Sequence, residues 1–441
     1  MGKYDSFFKL AKEAGIEQAE LYLAESRSLS ISLFHGEIDN YSDNNGYTIL
    51  ARGMINGKFG AASCDVWNKE KAQYLVKEIV NNAGVIENED PMFIFEGSEK
   101  YKKVNTYNPE LGKVSIETKI EKLHELETKL RAFDKRIVEV ASVEYEESES
   151  KITLINTKGL KLAQRSNFYA YIGQVVAREG QQTKSGYDYY FDNDFSKLDI
   201  DKLAAKIGKD TVDQLGGEPC NTANYKAVLA PSVVKSLLSF LVGHCDAEEV
   251  QKQSSLFIGK LGQKVLSKKI TIEDRPLERN VFARWFDDEG VATYNKAIFK
   301  NGVLQTYLYN LTTAAKDGVK STGNGYRAGG KMGTSSTYCV LKPGKKSQEE
   351  LFKEVGEGVY ITDVSGLHAG MNPQSGNFSL QSTGYLIKNG KRDRPLDIIT
   401  VGGNLLQLFN DVLEVGSDLE SSPNGVAAPS LLIKNIAVSG K

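Results

Sequence analysis

The chain carries four histidines, His35, His124, His244 and His368, and no two of them lie within five residues of each other. A zinc-peptidase helix needs two imidazoles one turn apart with a glutamate beside them. Both nitrogens then meet one ion while the carboxylate activates its water. That spacing is absent. The densest group of ligand-type side chains is Gly243-His244-Cys245-Asp246-Ala247-Glu248-Glu249, directly after an apolar stretch. It allows a mixed metal site with His244, Cys245 and Asp246 or Glu248 as ligands. The same residues read more readily as the polar end of a helix with one half-buried histidine, because a lone ligand rarely makes a site. In Gly366-Leu-His368-Ala-Gly-Met-Asn-Pro-Gln-Ser375-Gly-Asn377, His368 and Ser375 offer a base and a nucleophile, but no orienting acid accompanies them, so a surface turn is expected. The segment Gly323-Asn324-Gly325-Tyr-Arg-Ala328 imitates a dinucleotide fingerprint. It neither follows a clean parallel strand nor opens a helix, and Gly329-Gly330 comes next, so a flexible loop beside a cleft is expected instead.

Elements must hold these groups in place. At 441 residues the chain has room for two or three domains at ~150 residues each. Its 40% hydrophobic and 25% charged residues are an ordinary globular balance that excludes collagen, coiled coil and wholesale disorder. Lys plus Arg number 55 against 57 Asp plus Glu, net −2, which gives no global pull toward nucleic acid or anionic membrane. Basic runs such as Lys342 to Lys346 and Lys388 to Arg394 are short and read as solvated loops. The four scattered cysteines fit reduced thiols in the cytoplasm better than a disulfide scaffold. The start of the chain reads as an amphipathic helix, not a signal peptide. The longest apolar stretch, Val233 to Val242, is broken by Lys235 and too short to span a bilayer.

A first helix is expected from about Ser6 to Ala14, capped by Asp5 and stopped by Gly15. Glu20 to Gly36 and Ser142 to Gly159 each read as two alternating strands joined by a polar Glu/Ser turn and ended by glycine. A long strand follows each, Tyr47 to Ile55 and Asn167 to Arg178, and the first ends at the hairpin signature Asn56-Gly57. Helices are expected over Lys69 to Ala83, Ile116 to Phe133 and Leu198 to Leu215. The whole reads as an internal duplication of a helix-plus-hairpin unit. After the linker-like Gly216-Gly217-Glu-Pro-Cys220 come a strand over Tyr225 to Ala230, a helix from Pro231 to about Gly243, and then mostly short strands with glycine punctuation. A late helix is expected over Asn404 to Val412, with Asn404 as its cap. The expected fold is α+β: a duplicated α+β domain over 1–218 and a β-rich domain over 219–441.

The landmarks Gly46-Tyr-Thr-Ile-Leu-Ala-Arg52, Ser254-Ser-Leu-Phe-Ile-Gly-Lys-Leu-Gly262, Asp287-Asp-Glu-Gly290-Val, Phe299-Lys-Asn-Gly302, Ser321-Thr-Gly-Asn-Gly325, Ser375-Gly-Asn-Phe378, Gly384-Tyr-Leu-Ile-Lys-Asn-Gly390 and Val415-Gly-Ser-Asp-Leu419 follow one another along nearly the whole chain. Their order resembles the TldD/PmbA family, named as modulators of DNA gyrase and viewed as peptide-processing metallopeptidases. The resemblance implies that a catalytic, TldD-type member carries His-Glu-x-x-x-His on the helix before the Ser254 landmark and a late cysteine ligand. Counted back without gaps, those helix positions fall here on Leu238, Ser239 and Gly243, and no cysteine follows Cys339. The chain therefore resembles the PmbA (TldE) branch, with no metal of its own. The resemblance implies a TldD-type partner that supplies zinc or iron and the general base, an unfolded peptide as substrate, and a homodimer as an option in isolation. Peptide-cleft candidates, taken from glycine-rich loops that resemble the family's shared motifs, are His244, Asn324, His368, Ser375 and Asn377. Two rivals stay open: a self-sufficient metallopeptidase with ligands around His244, and a non-enzymatic protein that binds gyrase or a toxin system.

Overall fold

The computed structural model describes residues 2–85, 90–328 and 331–441. Met1 and the pair Gly329-Gly330, on which parts of the N-terminal and glycine-loop readings rest, lie outside the described residues. The first half contains α1 (Asp5–Glu13), β1 (Gln18–Phe34), β2 (Glu37–Ile55), β3 (Lys58–Cys64), α2 (Lys69–Val85), α3 (Ile116–Ala132), β4 (Ile137–Asn156), β5 (Lys161–Glu179), β6 (Gln182–Asp192) and α4 (Ile200–Val212). Its strands form one antiparallel sheet in the order β3-β2-β1-β4-β5-β6. Helix, three-stranded meander, helix occurs twice. The two copies meet where β1 and β4 pair, with Ser26 opposite Ser150 and Arg27 opposite Glu149, and the topology repeats about a local two-fold through that point.

The repeating unit therefore differs from the expected helix-plus-hairpin. Glu20 to Gly36 is not two strands around a Glu/Ser turn, and neither is Ser142 to Gly159; β1 and β4 run straight through. The polar residues that imitate a turn form cross-strand partners instead: Lys151 reaches Glu25 at 2.7 Å and Arg27 holds Asp43 at 2.8 Å. No glycine or proline is present there to reverse the chain. The true reversals lie at Gly36 and Gly159, both at positive φ, and at Asn56-Gly57, where φ of 50° and 73° make the expected two-residue hairpin. Asp5 is not the cap of α1. That position belongs to Tyr4, and the Asp5 carboxylate accepts from the Gly2 amide. Ser115 and Asp199 cap α3 and α4 through their side chains.

Strand periodicity sets the layers. Leu21, Leu23, Leu29, Ile31 and Leu33 of β1 point to one face, where the four helices cover them. Tyr22, Leu154 and Leu162 point to the other, where they meet Trp285 and Phe286 of the second half. That half contains β7 (Ala223–Leu229), α5 (Pro231–Gly243), α6 (Ala247–Gln251), β8 (Ile272–Asp274), β9 (Lys296–Lys300), β10 (Val303–Leu304), α7 (Leu311–Asp317), β11 (Gly325–Ala328), β12 (Lys331–Thr334), β13 (Cys339–Leu341), α8 (Gln348–Val355), β14 (Gly358–Ser365), α9 (Leu367–Gly370), β15 (Asn377–Lys388), β16 (Lys391–Asn404), α10 (Leu405–Asn410), β17 (Val412–Val415), β18 (Glu420–Ser421), β19 (Val426–Ala428) and β20 (Leu431–Ser439). Strands β16-β15-β14-β7-β20 close on themselves through β16–β20, with β17 added to β20. A second sheet runs β10-β9-β8-β13-β19-β18. The Gly323–Gly333 stretch is not a plain loop: β11 and β12 pair as a hairpin. The fold is mixed α and β and rich in strand, as expected. Among the described residues no helix is long and apolar enough to cross a membrane.

Candidate functional site

Helix α5 lies between the closed sheet and β19, with Pro231 in its first turn. Its apolar side chains Val233, Val234, Leu237, Leu238, Leu241 and Val242 are buried in the main core. The remaining face, Ser232, Lys235, Ser236, Ser239 and Gly243, recurs every three to four residues. Of the three positions implied by the family's metal motif, Leu238 is fully buried among apolar neighbours, Ser239 donates its hydroxyl to the Lys235 carbonyl at 3.0 Å, and Gly243 has no side chain. These residues do not fit a metal ion.

Lys235 emerges at the seam between the two halves. Its ammonium lies 3.6 Å from Glu420, which also sits 3.9 Å from Lys206, and Lys206 in turn holds Asp188 at 2.5 Å. Burial depresses the Lys235 pKa. Asp210 is raised by burial on the same side of the seam. Arg392 pairs with Asp213 at 2.5 Å and Lys184 with Asp397, so ion pairs from both halves cross this seam. An ammonium with one distant partner can donate to a carbonyl or carboxylate brought into it.

The sequence-derived candidates fall in separate places. His244 caps the C-terminus of α5 and is 7% exposed, its ring edge-on to Phe240 and its Nδ1 accepting from the Leu256 amide at 3.4 Å. Burial lowers its pKa. Cys245 is fully buried, and its thiol pKa is raised well above the ordinary value by burial. Asp246 caps α6 through the Glu248 amide. Glu248 pairs with Lys252. The four side chains thus serve four different local purposes, and among the described residues no group of three or more His, Cys, Asp or Glu could hold a metal. Asn324 is buried and donates to Asp274 at 2.8 Å and to the Ser335 carbonyl at 2.9 Å. Ser375 and Asn377 share one exposed turn tied down by Asn404. His368 is exposed on α9, and among the described residues no hydrogen bond joins it to Ser375.

Sequence reasoning treated Asp287-Asp288-Glu289-Gly290 as a landmark and missed it as a site. All three acids are nearly inaccessible. Asp287 accepts from the amides of Glu289, Val291 and Gly325 at 2.8–3.0 Å. Asp288 takes the Tyr22 hydroxyl at 2.6 Å, the Arg327 amide at 2.8 Å and the Arg284 guanidinium. Glu289 accepts from the Leu311 amide at the start of α7, at 2.7 Å. The approach is close enough to require glycine at 325, where a Cβ would stand 2.8 Å from Glu289 and 3.0 Å from Asp287. Across the seam, Glu20 and Arg52 pair at 2.8 Å, and the Arg327 guanidinium stacks 4.9 Å over the Tyr22 ring. Three arginines thus face four carboxylates. Burial and the neighbouring Asp287 charge push Glu289 up to about 8. Burial also raises Asp287. The signal in the sequence was three acids enclosed by Trp285-Phe286 and Val291, an apolar frame that buries what it flanks.

Three family models match the chain: PmbA/TldA metallopeptidase domain 1 over residues 19–83, the central domain over 109–215 and the C-terminal domain over 222–440. The chain is similar to the metalloprotease PmbA of Escherichia coli O157:H7, at 26% identity over 96% of this chain and 92% of that protein. It is also similar to a metalloprotease TldD homolog of Haemophilus influenzae, at 27% identity over 99% and 95%. Among solved structures, a candidate DNA gyrase modulator from Thermotoga maritima matches with a TM-score of 0.92 at 31% identity, covering 99% of both chains. TldE from Thermococcus kodakarensis shares the fold, with a TM-score of 0.92 at 23% identity over 100% of both chains. With matched models along most of its length and a relative above 30% identity over nearly all of it, the chain belongs to the PmbA/TldD metallopeptidase family.

Proposed function

We propose that this chain is the PmbA (TldE)-type subunit of a cytoplasmic metallopeptidase, holding no catalytic metal itself. A TldD-type partner supplies zinc or iron and the general base, and this subunit helps to enclose the chamber in which unfolded peptide is processed. The observation that carries the reading lies along helix α5: leucine, serine and glycine stand where the resemblance calls for two histidines and a glutamate. The charged seam beside Lys235 supports a role in holding peptide, since an ammonium donates to a main-chain carbonyl whatever the side chains. The free cysteines Cys64, Cys220, Cys245 and Cys339 support a reducing compartment. The near-neutral charge favours neither direct nucleic-acid binding nor a membrane surface.

The test is elemental analysis of the purified chain beside a cleavage assay on an unfolded peptide, with and without a TldD-type subunit from the same organism. Absence of stoichiometric metal, no cleavage by the chain alone, and cleavage in the mixture that exceeds that of the partner alone are the expected results. Stoichiometric zinc or iron with activity in the isolated chain, lost in His244→Ala, would establish a self-sufficient peptidase and end this reading.

A further inference from the structure

The local two-fold of the first sheet leaves two strands overhanging, one at each end. Strand β6 covers β5 only from Tyr169 to Glu179, and β3 covers β2 only from Ile49 to Ile55. The overhang of β5, Lys161 to Phe168, is covered by irregular segments of the chain itself. Asn167 and Asn108 exchange side-chain to main-chain bonds at 2.9 and 2.8 Å, Arg165 stacks 4.0 Å from the Tyr107 ring, and Gln164 bonds the Ala283 carbonyl and Trp285 amide at 3.0 Å. The matching overhang of β2, Glu37 to Gly46, has no such cover among the described residues. Every residue of it except Ser42 is exposed.

This edge is not blunted in the ways that normally block pairing, for it contains no lysine, arginine or proline. Ile38 lies opposite Leu33 and Tyr41 opposite Ile31, so both continue the apolar layer under α3. They nevertheless stand 49% and 50% exposed, with Phe34 beside them at 46%. Arg27 neutralises Asp43, whereas Glu37 and Asp39 have no ion-pair partner among the described residues.

We infer that the β2 edge from Glu37 to Gly46 receives an extended strand from the catalytic partner subunit, one that carries basic side chains opposite Glu37 and Asp39 and apolar ones against Ile38 and Tyr41. The inference rests on the subunit reading above and gives it a location. The pseudo-equivalent edge is covered by irregular segments held through side-chain bonds, and the β2 edge has no counterpart to them among the described residues. The charge shows the sign of its occupant. A second copy of this edge fits poorly, because it contains no lysine or arginine to place opposite Glu37 and Asp39.

Hydrogen exchange of the full chain, alone and mixed with the TldD-type subunit, tests this when molar mass is measured by light scattering on the same samples. A complex in which the amides of residues 37–46 exchange at least about tenfold more slowly is expected. The double variant Ile38→Lys, Asp39→Lys, exposed at both positions, should weaken the complex by about tenfold or more while leaving the chain folded. A complex with these amides unprotected overturns the edge assignment and leaves the subunit reading standing. Absence of any complex overturns the subunit reading, and the edge assignment falls with it. Protection in the chain alone that grows with its concentration, or protection by excess unstructured peptide without the subunit, assigns the edge to a different occupant and overturns the proposal.

Discussion

Ile398 sits at φ of 53° in a bulge of β16 and is 74% exposed. The left-handed region is tolerated by asparagine, as at Asn56, Asn301 and Asn389, but crowds a β-branched side chain. Ile398→Asn should therefore raise stability by about 1 kcal/mol, read as an increase in urea midpoint without a change in slope. Glu289 carries an opposite kind of strain. Its folded pKa of about 8 lies above the ordinary 4.5, so the native state keeps a proton that the unfolded chain releases. Stability is then unaffected by this group below about pH 4.5, falls as pH rises through the interval, and stays reduced above about pH 8. Glu289→Gln keeps an acceptor for the Leu311 amide and removes the titration. Its melting temperature should fall less than the parent's between pH 5 and 8, with the variant the more stable by a few kcal/mol at pH 9. Equal pH profiles for the two proteins would remove that account. The acids themselves were plain in the sequence. Their link to Tyr22 and to the charge of Arg52 was not, because those partners lie more than 200 residues away and only the fold brings them together.

At the level of single elements, local chemistry was readable and cross-strand chemistry was not. Pro231 and the apolar spacing placed α5 correctly, and the Asn-Gly pairs at 56–57, 301–302 and 389–390 mark hairpins whose two residues both take positive φ, whereas Asn45-Gly46 runs on within β2. The polar middle of β1 misled because its partners Lys151 and Asp43 belong to other strands, so nothing local distinguishes it from a turn. The candidate-site residues suffered similarly. His244 and Asn324 have ligand-type chemistry, yet each is consumed by a neighbour that sequence spacing does not reveal. The α5 face gives an element-scale prediction. Leu238→Ala empties fully buried space and should cost about 2–5 kcal/mol. Ser239→Ala, which loses only a bond to its own helix, should stay within about 0.5 kcal/mol. Similar losses at both positions in denaturant titration would contradict the assignment of the two faces.

Across the whole molecule, Asp288 is one of the polar joints between the two halves, taking a hydroxyl from β1 and a guanidinium from its own turn beside the apolar layer around Trp285. Asp288→Ala leaves Arg284 buried without its partner and should cost about 3–5 kcal/mol, whereas Tyr22→Phe should cost about 1 kcal/mol. Trp285, packed on the first sheet beside this joint, reports the loss by fluorescence in a Trp67→Phe background. Comparable effects from the two substitutions would show that the hydroxyl bond, not the buried charge, holds the joint. The central pairing of β1 with β4 bears on synthesis. Residues 20–33 must find residues 143–156, so β1 leaves the ribosome well before its inner neighbour exists. At about 5–20 residues per second, the intervening chain takes roughly 6–25 s to emerge. During that time the first meander carries two unpaired edges, β1 on one side and β3 on the other. Neither copy of the unit is complete until the second arrives, which makes the nascent first meander a natural client for chaperones and the slow step in reaching this fold.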